Sequence, residues 1–411
     1  MNKQPHIIII GAGPGGATAA LQLSYHGIPC TLIDKEIFPR DKICGDAISG
    51  KSFTILNRIN PDILIRLYNS SFIEKSWGGK FVAPNQKHFT IACADEIINS
   101  NKNAPGLIIR REYFDNFLIA EVKSRANIKL IEGVNIDSFE KINDGYLIQS
   151  KDKKYNATAQ LLIVANGAQS TFSRKIAGFE VEPNHYCAGL RTYIKNIEGI
   201  DEKKLIELHF IKETLPGYFW IFPMQNKEAN VGIGMLKSSI SNKKINLKKT
   251  FNDLIATHPA LKDRFKNATH ITPLEGFGLP LGSKKRKLYG DNYMLIGDAA
   301  HLIDPLTGEG IGNAMYSGWL AAEQAKICMA KNDFSEQQLI NYDNRVSRTM
   351  RKELMLSTWI QKLVHYPNLF NFIMNRACSN KKFMDKISAM LLNDDEKEKL
   401  LNPWFLIKAL R

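Results

Sequence analysis

Three glycines near the N-terminus, Gly11, Gly13 and Gly16, stand in the pattern G-x-G-x-x-G, directly after the apolar run 6–10. Each has a separate task in such a turn. Gly11 permits the tight reversal, Gly13 lets a pyrophosphate approach the backbone, and Gly16 allows a helix to pack closely on a sheet. The amides at the start of that helix meet the phosphate charge. Asp34 falls at the end of the next apolar run, where a carboxylate accepts hydrogen bonds from an adenosine ribose, and Lys35 follows it. The chemistry so far is recognition of a dinucleotide. These residues alone do not separate a flavin from a nicotinamide cofactor.

The distinction comes from residues 297–312, where Gly297 and Asp298 open a small-residue turn and Pro305, Gly308, Gly310 and Ile311 lie in the glycine-rich loop and helix start that follow. Asp298 is placed to accept hydrogen bonds from a polyol such as ribitol, the alternative being a carboxylate that only shapes the turn. The helix starting near Gly310 presents amides to the pyrimidine edge of a flavin. Reduction builds negative charge near N1 and O2, which oriented amides stabilise in preference to the oxidised ring. The two motifs together predict FAD. Two further groups carry chemistry. Tyr218, Trp220 and Phe222 alternate toward one face of a strand between Gly217 and Pro223. That stripe reads either as core or as the wall of a shaped cavity. Cys44, near Lys42, is a thiol whose neighbour favours thiolate, which by itself is no sign of covalent catalysis.

The elements that position these groups follow from periodicity. Residues 6–10 and 28–33 read as buried parallel strands flanking a helix over 18–26, with Gly27 as its C-cap. A helix is predicted over 110–122, short strands over 128–131, 146–150, 161–165 and 293–296, and strand-like runs with turns from about 180 to 280. The last 80 or so residues are helical in period. The fold class is therefore α/β: a discontinuous Rossmann-like FAD-binding domain, an inserted, mainly antiparallel β-sheet substrate domain, and a helical C-terminal region. The expected division assigns 1–75, 101–180 and 281–330 to FAD binding, 76–100 and 181–280 to the substrate domain, and 331–411 to the helical region.

Composition narrows the classes. With 411 residues, 44% of them hydrophobic, the chain is a globular protein of two or three lobes. No apolar run reaches the ~18 residues that span a bilayer, and no secretory signal is expected before the first strand. The six cysteines lack metal-ligand or disulfide spacing, and a reducing cytoplasm is expected. The net charge of +14 is spread along the chain without stacking aromatics, which argues against nucleic acid. A basic tetrad at 284–287 reads as a solvated connection, with attraction to anionic lipid, phosphate or an acidic redox partner as the alternative. The apolar segment 403–407 reads as docked on the body, a membrane-facing patch being the alternative.

With these motifs assembled, the sequence resembles the geranylgeranyl reductase family, within the larger class of flavoproteins that includes aromatic hydroxylases and flavin-dependent halogenases. The residues that carry the resemblance are 11–16, 42–46, 111–115, 216–223 and 297–312. It implies that Arg111 lies near the FAD phosphate or adenosine end, that Asp298 binds ribitol, and that Gly310 and Ile311 meet the isoalloxazine. It also brings the Cys44 loop to flavin and substrate, making Cys44, Tyr218 and Trp220 the candidate catalytic residues, with Cys44 also a cofactor contact. The implied reaction is hydride transfer from flavin N5 to a carbon–carbon double bond of an isoprenoid or other apolar substrate. NAD(P)H or a reduced electron-transfer protein would supply the electrons, and peripheral membrane contact is compatible with such a substrate. The alternatives are a monooxygenase, which His301 favours and the pair Asn166 and Gly167 disfavours, a halogenase, and a non-catalytic redox sensor.

Overall fold

The computed structural model describes residues 6–99 and 103–379. In chain order the elements that matter here are β1 (Ile7–Ile10), α1 (Pro14–Tyr25), β2 (Cys30–Ile33), β3 (Gly78–Val82), β4 (His88–Ala92), α2 (Arg111–Lys123), β5 (Ile128–Ile131), β6 (Leu161–Val164), β7 (Tyr186–Lys195) and β8 (Ile206–His209). They continue as β9 (Tyr218–Pro223), β10 (Glu228–Leu236), β11 (Thr269–His270), β12 (Glu275–Pro280), β13 (Tyr289–Gly290), β14 (Tyr293–Leu295), α3 (Ile311–Lys331), α4 (Glu336–Val364) and α5 (Pro367–Ser379).

A six-stranded sheet runs in the order β13-β14-β6-β1-β2-β5. All its pairs are parallel except β13 with β14. The strands β1 and β6 are apolar throughout and fully buried because helices cover both faces of a parallel sheet. The expected strand at 146–150 is found as Gly145–Ser150, but in a separate three-stranded sheet with Ile136–Ile142 and Asn156–Ala159. An eight-stranded sheet, β11-β7-β10-β9-β8-β3-β4 with β12 on the far side of β7, is antiparallel except where β8 meets β3. The fold is thus a discontinuous α/β FAD-binding framework with mixed sheets and a C-terminal helical bundle. No helix among the described residues is long and apolar enough to cross a membrane.

One boundary differs from the periodicity and one agrees with it. The first helix begins at Pro14, inside the glycine motif, because proline at the first helical positions has no orphan N–H to satisfy. Gly27 follows the helix at φ +72° and donates its N–H to Ser24 O at 2.9 Å, the left-handed residue that ends it. In β9 the side chains alternate as the pleat demands. Phe219 and Ile221 enter a core with Val231, Ile233 and Phe251, while Trp220 and Phe222 face Tyr193, Phe210 and Val364 on the other side. In the basic tetrad, Lys284 and Arg286 both pair with Glu182, and Lys287 pairs with Glu336. Residues 403–407 lie outside the described residues.

Candidate FAD and substrate site

The crossing of α1 and α3 sets the first half of the site. A Cβ on Gly318 would fall 2.3 Å from Gly15 O, and one on Gly15 would fall 2.9 Å from Ala314 O. Only glycine at these points lets the two helices approach, and the approach brings both helix starts to one cavity. Gly13 and Gly310 are their N-caps, neither helix has a side-chain cap, and neither has an acid in its first turn. Two sets of first-turn amides therefore reach the same space, with Asp298 and Glu309 beside the start of α3, and the amides suit a diphosphate and an electron-rich ring edge. Gly11 and Gly16 serve the packing behind it. A Cβ on Gly11, at φ +102°, would strike Ala165 O at 2.3 Å, and one on Gly16 would strike Gly11 O.

Asp34 shapes this cradle as well as lining it. Its Oδ2 accepts from Ala12 N–H at 2.6 Å and its Oδ1 from Glu36 N–H at 2.9 Å, so the carboxylate ties the end of β2 to the glycine turn. Burial raises its pKa, and these backbone donors oppose the rise. Lys35 lines the cavity beside it. Arg111 is buried and makes two hydrogen bonds of 2.7 Å to Asp115, which also pairs with Arg40 at 2.6 Å; Arg40 and Arg111 both line the cavity. Arg111 and Cys44 line the same cavity.

At the opposite side, Asp298 lines the cavity with Lys42 Nζ 3.4 Å from its Oδ2. Gly297 takes φ +57° and donates its N–H to Ser317 Oγ at 3.0 Å, which turns the chain so that Asp298 faces inward. The loop after it is held by Asp304, whose Oδ1 accepts from Leu306 N–H at 2.9 Å and Thr307 N–H at 2.8 Å. Pro305, Gly308, Gly310 and Ile311 line the cavity from this loop. His301 does not line it. Its ring packs edge-on against Phe179, and burial, with Arg286 nearby, pushes its pKa down to about 4.

Tyr218, Trp220 and Phe222 face the same cavity from β9, and Cys44 reaches it from the 42–46 loop. Tyr218 Oη donates to Thr307 O, joining the antiparallel sheet to the glycine-rich loop. Gly232 leaves room for the indole of Trp220, since a Cβ there would lie 2.1 Å from the ring. A network that sequence reasoning missed fixes the loop to the stripe. Trp220 Nε1 donates to Asn230 Oδ1 at 2.9 Å. Asn230 Nδ2 in turn donates to Cys44 O at 2.7 Å and Asp46 Oδ2 at 2.8 Å, and Tyr193 Oη donates to the same Asp46 oxygen at 2.6 Å. Asp46 has no solvent exposure and φ +66°, and burial raises its pKa to about 6 against the pull of Tyr193, Arg191 and Asn230. The signal for Asp46 was present in the 42–46 motif. Nothing local marks Tyr193 or Asn230, because both lie far from it in sequence.

The result is one continuous cavity of about 1090 Å³. One end is the polar cradle between α1 and α3. The other is walled by β9 and by Phe81, Phe210, Trp359 and Phe370, and is apolar. Of the residues expected at the site, all but Gly11 and Gly16 line this cavity.

The chain is similar to several known proteins. The family described as FAD binding domain matches residues 4–345. A digeranylgeranylglycerophospholipid reductase of Methanococcus vannielii is 30% identical over 368 residues, 87% of each chain. The enzyme of that name from Methanococcus aeolicus is 31% identical over 364 residues, 86% of this chain and 85% of its own. Among solved structures, a geranylgeranyl bacteriochlorophyll reductase-like protein of Thermoplasma acidophilum superposes with a TM-score of 0.77 at 24% identity, covering 90% of both chains. A flavin-dependent brominase superposes with a TM-score of 0.75 at 20% identity, covering 94% of this chain and 93% of its own, so the fold is shared by reductases and halogenases alike. The match over residues 4–345 places this chain in the FAD binding domain family, with reductases among its curated relatives, and it shares its fold with a flavin-dependent brominase.

Proposed function

We propose that the protein is an FAD-dependent reductase that saturates carbon–carbon double bonds in an isoprenoid or another extended apolar molecule. The observation that carries this reading is the continuity of the cavity: an uncapped two-helix cradle opens directly onto an apolar aromatic wall. The curated relatives at 30–31% identity, named as reductases of a geranylgeranyl lipid, support the same branch.

When bound, FAD in its reduced form supplies the hydride to one alkene carbon. The residues of the chain do the rest. First-turn amides of α1 would hold the diphosphate, Asp34 the ribose and Asp298 the ribitol, while the start of α3 at Gly310 and Ile311 would stabilise charge on the ring edge. Tyr218, Trp220 and Phe222 hold the substrate chain against the ring and exclude water. Cys44, which lines the cavity, holds on its Sγ the proton that the second carbon takes, and solvent reprotonates it. The electrons enter from NAD(P)H or from a reduced electron-transfer protein.

The test is anaerobic. Purified protein is photoreduced, then mixed with isoprenoids and other unsaturated lipids while flavin reoxidation and product mass are followed. Reoxidation coupled to a gain of two hydrogens supports the proposal. Oxygen-dependent addition of one oxygen atom would move the chain to the monooxygenases. Anaerobic mixing of the oxidised protein with NADH or NADPH separates the two electron sources.

A further inference from the structure

The C-terminal helices leave one face uncovered among the described residues. Along α4, Arg348, Lys352, Met355, Trp359 and Lys362 recur at the three- and four-residue spacing that places side chains on one helix face, and all five are exposed. On α5, Leu369, Phe372 and Arg376 repeat the pattern. The apolar members are far more exposed than such side chains usually are: 55% for Met355, 44% for Trp359, 41% for Leu369 and 58% for Phe372. Along these two helices basic residues outnumber acids. Residues 340–379 contain Arg345, Arg348, Arg351, Lys352, Lys362 and Arg376 against two acids. Of those two, Asp343 is buried and Glu353 pairs with Lys51 at 2.8 Å. The face is therefore an apolar stripe bordered by cations.

Trp359, Leu369 and Phe372 also line the main cavity. The outer stripe and the inner apolar wall therefore share these three residues.

We propose that this face of α4 and α5 docks the protein on an anionic lipid bilayer and that the substrate chain enters past Trp359, Leu369 and Phe372. Apolar side chains enter the headgroup boundary while the Lys and Arg border meets the anionic surface. The entry route rests on the apolar-substrate reading. The docking itself is measured without turnover, so the two can fail separately.

The experiment is sedimentation of the full chain with vesicles of phosphatidylcholine alone or with phosphatidylglycerol. Binding is expected to the anionic vesicles, to fall about tenfold or more in Lys362→Glu, and to weaken comparably in Met355→Glu and Phe372→Glu. Met355 and Lys362 do not line the cavity. Their variants should therefore retain FAD and keep anaerobic reoxidation by a detergent-dispersed substrate, while losing reoxidation by the same substrate in anionic vesicles. Equal binding to both vesicle types, or binding indifferent to these variants, overturns the proposal. So does self-association of the wild type that Phe372→Glu abolishes, or a photo-crosslink from position 372 to residues 380–411 in place of lipid.

Discussion

At the scale of single residues, two buried or half-buried carboxylates carry opposite assignments. Asp298 faces the cavity with only a long contact to Lys42, so its acceptor capacity is directed at a ligand. Asp298→Ala is expected to weaken FAD by about 1.5–3 kcal/mol, the worth of a hydrogen bond to a charged group, as read by titration of the apo-protein. Unchanged affinity would return Asp298 to a turn-forming role. Asp46 is satisfied on one oxygen by Tyr193 and Asn230 and has no partner for Oδ1. Its raised pKa means the folded state prefers the protonated carboxyl. Its favourable contribution is therefore complete below the unfolded value near 4 and is lost as pH rises through about 6. Asp46→Asn cannot titrate. The stability of wild type relative to this variant should fall by up to about 3 kcal/mol between pH 4 and 7, measured by denaturant unfolding across that range. A constant difference would show that the carboxylate keeps an ordinary pKa.

At the scale of elements, the crossing of α1 and α3 and the fit of β9 to β10 depend on missing side chains. Gly318→Ala gains about 1 kcal/mol of helix preference but drives a Cβ against the backbone of Gly15. Overpacking of this kind costs about 1–3 kcal/mol when the partner is a side chain, and backbone yields less. We expect a lower Tm together with weaker FAD binding, because both helix starts move. A variant that loses stability while FAD titrates normally would uncouple the crossing from the cradle. Gly232→Ala has a different signature. Its Cβ would displace the Trp220 ring and press on Leu190 O, within the antiparallel sheet, so flavin retention should persist while substrate-driven reoxidation falls. Equal loss of both would argue against two separable halves of the site.

At the scale of the whole molecule, the cavity is lined by residues from Gly13 to Met374, so one bound cofactor ties together segments spread over most of the chain. Tyr218 Oη on Thr307 O already links the antiparallel sheet to the glycine-rich loop. Because FAD binds only the assembled state, saturation to about a hundred times Kd adds ~2.7 kcal/mol of stability. Stripping the flavin should lower the Tm by about 2–5 °C, and readdition should restore it. A Tm that ignores FAD would mean that the segments assemble without the cofactor's contacts.

The glycine patterns, the apolar strands beside them and the alternation of Tyr218, Trp220 and Phe222 were legible in the sequence. Each is a local constraint: a turn needs a residue without a Cβ, a buried parallel strand needs an unbroken apolar run, and a pleat repeats every second residue. The sequence alone left open whether the aromatic stripe was core or wall. That depended on Phe219 and Ile221 filling a core on one side while the other side of β9 met the cavity. Tertiary structure also decided that Gly15 and Gly318 touch and that Asn230 and Tyr193 hold Asp46. It further decided that His301 packs against Phe179 instead of facing the cavity. None of these has a local signature, because each depends on which surfaces meet after chain segments hundreds of residues apart have packed, and no periodicity or turn preference encodes that meeting.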